Sequence, residues 1–168
     1  KDSTYTGSYD MVGGYTQIRL PAYEKYLDMT VWRDSVPDQF VLQGVSLDSD
    51  MPGVVYNAIG VNGSMLKSYL GSEHYVKHLR AVNPQLVLFS IGTNDAYTRH
   101  FDAEGYRERF RRLIDSTLKA SPDAAILLTV PNDSYLYRKY ANKNTEKMEE
   151  IIFDLAKEYQ CGVWDFYN

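Results

Sequence analysis

The chain has 168 residues, 44% hydrophobic and 24% charged, with a formal net charge of −4 and a pI near 5.4. This composition is typical of a globular protein and does not indicate a nucleic-acid-binding surface. No apolar run reaches the roughly 18 residues that a membrane span needs, and the first five residues do not resemble a signal peptide. One cysteine and three scattered histidines exclude an internal disulfide and a structural zinc site.

The first 50 residues have the pattern of strands and loops. Alternation and β-favouring side chains predict strands at 15–20, 29–32 and 39–47, with glycines and prolines between them. Three such strands bury little surface by themselves. We therefore interpret residues 1–50 as a β-rich segment, the end of a β-sandwich-like domain, and residues 51–168 as part of a second domain.

Strand and helix patterns alternate in residues 51–168. Strands are predicted near 54–59, 86–91, 125–130 and 162–166. A long helix begins after Asp102, a suitable N-cap, and a last helix carries an apolar stripe from Met148 to Tyr159. This order predicts parallel strands joined by right-handed crossovers. The expected fold class is α/β, a three-layer α/β/α flavodoxin-like sheet with helices on both faces.

The most informative segment is the strand 86–91 with the Gly92-Thr93-Asn94-Asp95 turn that follows it. The carboxyl end of a parallel strand is where ligands and catalytic groups lie in such sheets. The Asn94 amide is suited to donate to an oxyanion, and the Asp95 carboxylate is suited to hold the turn by accepting backbone N–H groups. A plain Asx-turn that closes a strand is the alternative.

A second turn, Gly60-Val61-Asn62-Gly63, follows the predicted strand at 54–59. Together the two turns resemble blocks of the SGNH (GDSL-type) hydrolase superfamily, over about two-thirds of the chain. The resemblance implies a serine ester hydrolase that needs no cofactor or metal. It also implies that the Gly63 backbone N–H and the Asn94 side chain form the oxyanion hole, with Asp95 supporting the turn.

The other two blocks of the superfamily are not found. Its nucleophile lies in a Gly-Asp-Ser turn, and the Asp-Ser pairs here, at Ser3, Ser35 and Ser134, lack that glycine. Its base comes from an Asp-x-x-His near the carboxyl terminus, and no histidine follows His100. We expect this chain to carry only the oxyanion-hole half of the site and to be inactive alone. In the superfamily the nucleophile follows a strand of the sheet, and we expect that strand to come from the rest of a longer polypeptide or from another chain.

The resemblance also suggests a substrate, a small-molecule or glycan ester. We expect removal of O-acetyl groups from a carbohydrate or cell-wall glycan, because some bacterial glycan esterases of the superfamily carry an inserted β domain. The resemblance favours a periplasmic or secreted location. The 15 tyrosines fit either a sugar-binding surface or ordinary strand positions. The alternative function is a non-catalytic ligand- or carbohydrate-binding α/β module.

Overall fold

The computed structural model describes residues 7–10, 14–30, 41–42 and 44–168. The chain divides into two compact units. One comprises Lys1–Gly7 and Ile18–Ile59, and the other comprises Ser8–Gln17 and Gly60–Asn168. No helix in the described ranges is both long enough and apolar enough to cross a membrane.

The first unit contains no helix or strand among its described residues. The strand predicted at 54–59 is therefore wrong, and so is the described part of the one at 39–47. The strand predicted at 29–32 lies half outside the described residues, and its other two residues have no regular structure. A strand needs a neighbour to satisfy its N–H and C=O groups, and β propensity does not supply one. Val54 is accordingly 95% exposed.

The second unit contains all the regular structure that is described. Its strands are β1 (Ser8–Asp10), β2 (Tyr15–Gln17), β3 (Leu86–Phe89), β4 (Ala125–Val130), β5 (Tyr135–Leu136), β6 (Tyr140–Ala141) and β7 (Gly162–Asp165). Its helices are α1 (Leu66–Leu70), α2 (Tyr75–Val82), α3 (Thr93–Ala96), α4 (Ala103–Ala120) and α5 (Asn144–Tyr159). Strands β1 and β2 form one antiparallel hairpin, and β5 and β6 form another.

The central sheet is parallel, with the order β3-β4-β7. Three of the four strands predicted for the α/β domain are therefore confirmed, and the α/β class is confirmed with them. Helix α4 connects β3 to β4, and α5 connects β4 to β7. Because the strands are parallel, the turns after β3, β4 and β7 all lie at one edge of the sheet.

Helices α4 and α5 supply most of the core. Their predicted apolar stripes are buried against one face of the sheet, where Phe89, Leu128 and Val130 are also buried. The predicted N-cap is confirmed, because the Asp102 side chain accepts a hydrogen bond of 2.9 Å from Gly105 N–H. A core of this kind fixes the sheet and the turn at the end of β3 as one body.

The opposite face of the sheet is apolar and open to solvent in the described structure. Leu86, Leu88 and Trp164 alternate with the buried positions and are 56%, 48% and 56% exposed. Trp164 stacks on Phe166, with ring centroids 5.1 Å apart and an interplanar angle of 18°. Within the described residues, β3 pairs only with β4, so its other side is a free strand edge.

Candidate functional site

The turn after β3 depends on a glycine. Gly92 is buried and has φ +125°, a backbone conformation that residues with a side chain rarely adopt. A Cβ atom here would lie 2.9 Å from both the Met148 Cε and the Tyr106 hydroxyl oxygen. The chain then enters α3 directly, and Ala96 N–H donates to Gly92 C=O at 2.8 Å. The helical turn sets the orientation of Asn94 and Asp95 within it.

Asn94 contacts the second predicted turn. Its Nδ2 donates a hydrogen bond of 2.9 Å to the backbone carbonyl of Ser64. Ser64 N–H donates to Val61 C=O at 3.0 Å, which closes a four-residue turn with Gly63 in its third position at φ +81°. That φ is the one that favours glycine in a type II turn. The structure therefore brings together Gly63 and Asn94, which are 31 positions apart in the sequence.

Gly63 is exposed, and its N–H makes no hydrogen bond with any described residue. Asn94 carries two amide hydrogens, and only one is used by Ser64. Each turn thus has a donor left for a ligand oxygen. Preorganised donors of this kind stabilise negative charge that develops on an oxygen atom.

Asp95 contacts the helix that follows the Gly63 turn. Its two carboxylate oxygens accept the N–H of Leu66, the first residue of α1, at 3.2 Å and 3.4 Å. Burial raises the pKa of this carboxyl group above its usual value, against the lowering effects of the Leu66 hydrogen bond and the positive charges of Arg109 and Lys67. Asp95 therefore bonds a backbone N–H that is 29 residues away in the sequence, in addition to any support that it gives to its own turn.

Tyr106 lies beneath the turn and is fully buried. Its hydroxyl makes no hydrogen bond with any residue that the structure describes, and it lies close to the position that a Gly92 side chain would occupy. Burial, with a smaller contribution from the Asp95 charge, raises the pKa of Tyr106 well above its usual value. The floor of the site is therefore uncharged and poorly hydrated, which strengthens electrostatic interactions above it.

Two asparagines that sequence analysis missed fix the loop after α3. Asn142 Nδ2 donates to Ala96 C=O at 3.1 Å, and Asn144 Nδ2 donates to the carbonyls of Ala96 and Thr98 at 2.9 Å and 2.7 Å. Asparagines just before a helical stripe are typical caps, so their pattern predicts only a helix start. Nothing in the spacing indicates bonds to a loop more than 40 residues away.

Of the candidate nucleophiles, only Ser134 lies in the part of the chain that the structure describes. Ser3 and Ser35 lie outside the described residues. Ser134 Oγ accepts a hydrogen bond from Asn142 at 3.2 Å. No serine hydroxyl contacts a histidine within the described ranges, and no group of three or more His, Cys, Asp or Glu side chains there is placed to hold a metal ion.

The raised pKa of Asp95 predicts a pH effect on stability. A carboxyl group whose pKa is higher in the folded state binds protons more tightly there, so the free energy of unfolding falls as pH rises through that pKa. We expect Asp95→Asn, whose amide oxygen still accepts the Leu66 N–H, to remove this fall from about pH 4 upward. Denaturant unfolding at a series of pH values measures it, with the exposed Asp133→Asn as the control. Identical pH profiles for Asp95→Asn and the unmodified chain would contradict the prediction.

The chain thus combines a parallel α/β sheet with a glycine-containing turn after β3 and a second turn bonded to it through Asn94. The chain matches the model of the GDSL-like lipase/acylhydrolase family over residues 30–168. It belongs to this family. No curated protein gives a match to the chain.

Among solved structures, the chain is similar to one titled "Peptidoglycan O-acetylesterase in action, 5 min". The TM-score is 0.59 at 20% sequence identity, and the similarity covers 65% of this chain and 33% of that chain. At this identity the likeness shows a shared fold. The chain therefore spans about a third of the length of the protein that it matches.

Proposed function

We propose that this chain supplies the oxyanion-hole half of an SGNH-type serine esterase. The observation that carries the proposal is the 2.9 Å hydrogen bond from Asn94 to Ser64, which joins the Gly63 turn to the Gly92–Asp95 turn at the edge of the sheet. Family membership supports hydrolase chemistry in general. Within that chemistry we assign Gly63 and Asn94 as the oxyanion donors and Asp95 as the support of the turn.

In the proposed mechanism, a serine hydroxyl attacks the carbonyl carbon of the ester while a histidine takes its proton. The carbonyl oxygen becomes a tetrahedral oxyanion that accepts hydrogen bonds from Gly63 N–H and the second N–H of Asn94. The intermediate collapses to an acyl-serine and releases the alcohol, which takes the proton from the histidine. Water then attacks the acyl-serine by the same route and releases the acid.

The free side of β3 is where we place the strand that brings the serine. A further parallel strand there would satisfy the unpaired backbone of β3, and its carboxyl end would lie at the edge that holds Asn94. Its following helix would cover Leu86 and Leu88, the exposed apolar side chains of β3. The rest of a longer polypeptide or another chain would supply this strand.

This arrangement predicts that the 168-residue chain alone hydrolyses p-nitrophenyl acetate no faster than buffer. Without a serine nucleophile and a histidine base the chain cannot form the acyl-serine intermediate through which such esterases turn over an activated ester. Absorbance at the p-nitrophenolate band measures the rate, and labelling by a fluorophosphonate reports any activated serine. Turnover that is abolished by such a reagent would contradict the prediction. Ser35→Ala, Ser64→Ala and Ser134→Ala would then identify the nucleophile.

The proposed substrate is an O-acetylated carbohydrate. The similar solved structure is of a peptidoglycan O-acetylesterase, and the chain has 15 tyrosines, several of them exposed near the site. The test is acetate release by the complete polypeptide from O-acetylated peptidoglycan and from O-acetylated xylan. If the complete polypeptide hydrolysed p-nitrophenyl acetate but released no acetate from either glycan, the esterase function would stand and the carbohydrate substrate would be rejected.

The second candidate function is a non-catalytic α/β module that binds a ligand at the same edge. The observation that favours it is that no serine hydroxyl contacts a histidine within the described structure. Failure of the complete polypeptide to hydrolyse any acetyl ester, together with retained glycan binding, would favour this module over the esterase.

A further inference from the structure

Two loops next to Asn94 meet through a pair of tyrosines. Tyr97 directly follows α3, and Tyr137 lies in the turn between β5 and β6. The Tyr97 hydroxyl oxygen accepts the Tyr137 backbone N–H at 3.0 Å, and the ring centroids are 5.7 Å apart. The Arg99 guanidinium carbon lies 5.3 Å from the centroid of the Tyr137 ring. The two rings are 49% and 50% exposed, so the cluster is ordered by contacts but still presents aromatic surface to solvent.

The turn that carries Tyr137 has an unusual sequence for its shape. Lys139 N–H donates to Leu136 C=O at 3.0 Å, and the two central residues, Tyr137 and Arg138, have φ +52° and +59°. This β-turn lies within the three-residue loop between β5 and β6, and β-turns with both central φ positive are dominated by glycine, asparagine and aspartate. A bulky residue in this conformation is strained, and such strain is concentrated at functional sites. Folding alone would favour asparagine or glycine at position 137.

The cluster is fixed relative to the proposed oxyanion hole. Tyr97 N–H donates to Asn94 C=O at 3.3 Å, which ties the first ring to the turn that carries Asn94. Asn142 and Asn144 hold the Ala96 carbonyl from the start of α5, and Asn142 also contacts Ser134 at the end of the loop before β5. A molecule bound at Asn94 and extending toward this loop would therefore meet Tyr97 first and Tyr137 next.

We propose that Tyr97, Arg99 and Tyr137 form a subsite for a pyranose ring of a glycan whose acetylated sugar lies at Asn94. The inference rests on the proposed function and names the part of the substrate that this surface binds. Aromatic rings offer flat apolar faces to the C–H side of a sugar ring, and guanidinium N–H groups bond its polar rim. Of the ligand classes that contact aromatic side chains, nucleic acid is disfavoured by the net charge of −4.

The test measures binding of chitotetraose, a β-1,4-linked N-acetylglucosamine tetramer, to the chain by titration calorimetry or saturation-transfer NMR. We expect Tyr137→Asn to weaken binding by about tenfold. Asparagine suits the left-handed backbone of this turn, so the variant should fold at least as stably as the unmodified chain. Tyr137→Phe keeps the ring and should keep the affinity. The control is Tyr23→Ala, which removes a 94% exposed tyrosine in the other unit.

Unchanged affinity in Tyr137→Asn would overturn the subsite, and so would the absence of chitotetraose binding by the unmodified chain. An equal loss in Tyr137→Asn and Tyr23→Ala would overturn it as well, because binding would then not depend on this surface. The readout is binding and not turnover. If the complete polypeptide hydrolysed no acetyl ester, the proposed esterase function would be rejected. The chitotetraose binding result would still test the subsite.

Discussion

Replacing Asn94 with alanine is expected to lower kcat on acetyl esters by about 10²–10³-fold in the complete polypeptide, with little change in KM. The substitution removes one of the two proposed donors to the oxyanion, and that donor acts mainly in the transition state. It also removes the hydrogen bond to Ser64, so the Gly63 turn loses a contact that holds it in place. Steady-state kinetics on p-nitrophenyl acetate give both constants.

The matched control is Asn83→Gly, at the end of α2 and the opposite edge of the sheet. Asn83 has φ +47°, a conformation that glycine adopts readily, so this variant should keep its stability and its turnover. Full turnover in Asn94→Ala would contradict the prediction. Asn94 would then be the ordinary Asx-turn residue that its position after a strand also allows.

Gly92→Ala is expected to destabilise the fold by about 2–5 kcal/mol. The added Cβ would lie within 2.9 Å of the Met148 side chain and the Tyr106 hydroxyl, both in the buried core. The residue would also have to hold φ +125°, which alanine adopts only with strain. Denaturant unfolding measures the loss as a lower midpoint at an unchanged slope.

Gly60→Ala is the control for this effect, because a Cβ at Gly60 meets no atom within 4 Å. We expect it to change the free energy of unfolding by no more than about 1 kcal/mol, in either direction. If Gly92→Ala were as stable as Gly60→Ala, the Gly92 turn would accommodate the added Cβ by shifting its backbone at little cost. The close packing of Tyr106 and Met148 beneath it would then not be what positions Asn94.

The parallel sheet could be predicted because its strands and helices carry strong local signals. The apolar runs that became β3 and β4 end at Gly92 and Pro131, and the stripe on α4 has a cap at Asp102. Each of these signals involves residues that are close in the sequence. The turn at Gly92–Asp95 was predicted for the same reason, as a glycine and two Asx-type residues after a buried strand.

The remaining elements depend on partners that are distant in the sequence. The segment at 54–59 has side chains that are typical of a strand, but a strand also requires a neighbouring strand. These residues have no regular secondary structure. The bonds from Asn142 and Asn144 to the Ala96 carbonyl likewise span more than 40 residues. Local pattern does not encode such pairs. The sequence therefore predicted the positions of the two turns better than it predicted the hydrogen bonds that hold them.

The hydrogen bond between Asn94 and Ser64 has a consequence for how this sequence can vary. One amide group is the proposed oxyanion donor and also bonds the other turn through the Ser64 carbonyl, so a change in either turn is expected to alter both. The effects of substitutions at Gly63 and Asn94 should not be additive, because each alters the geometry that the other relies on. We accordingly expect related sequences to keep both the Gly63 turn and the Gly92–Asp95 turn or to lose both, and rarely to retain one alone.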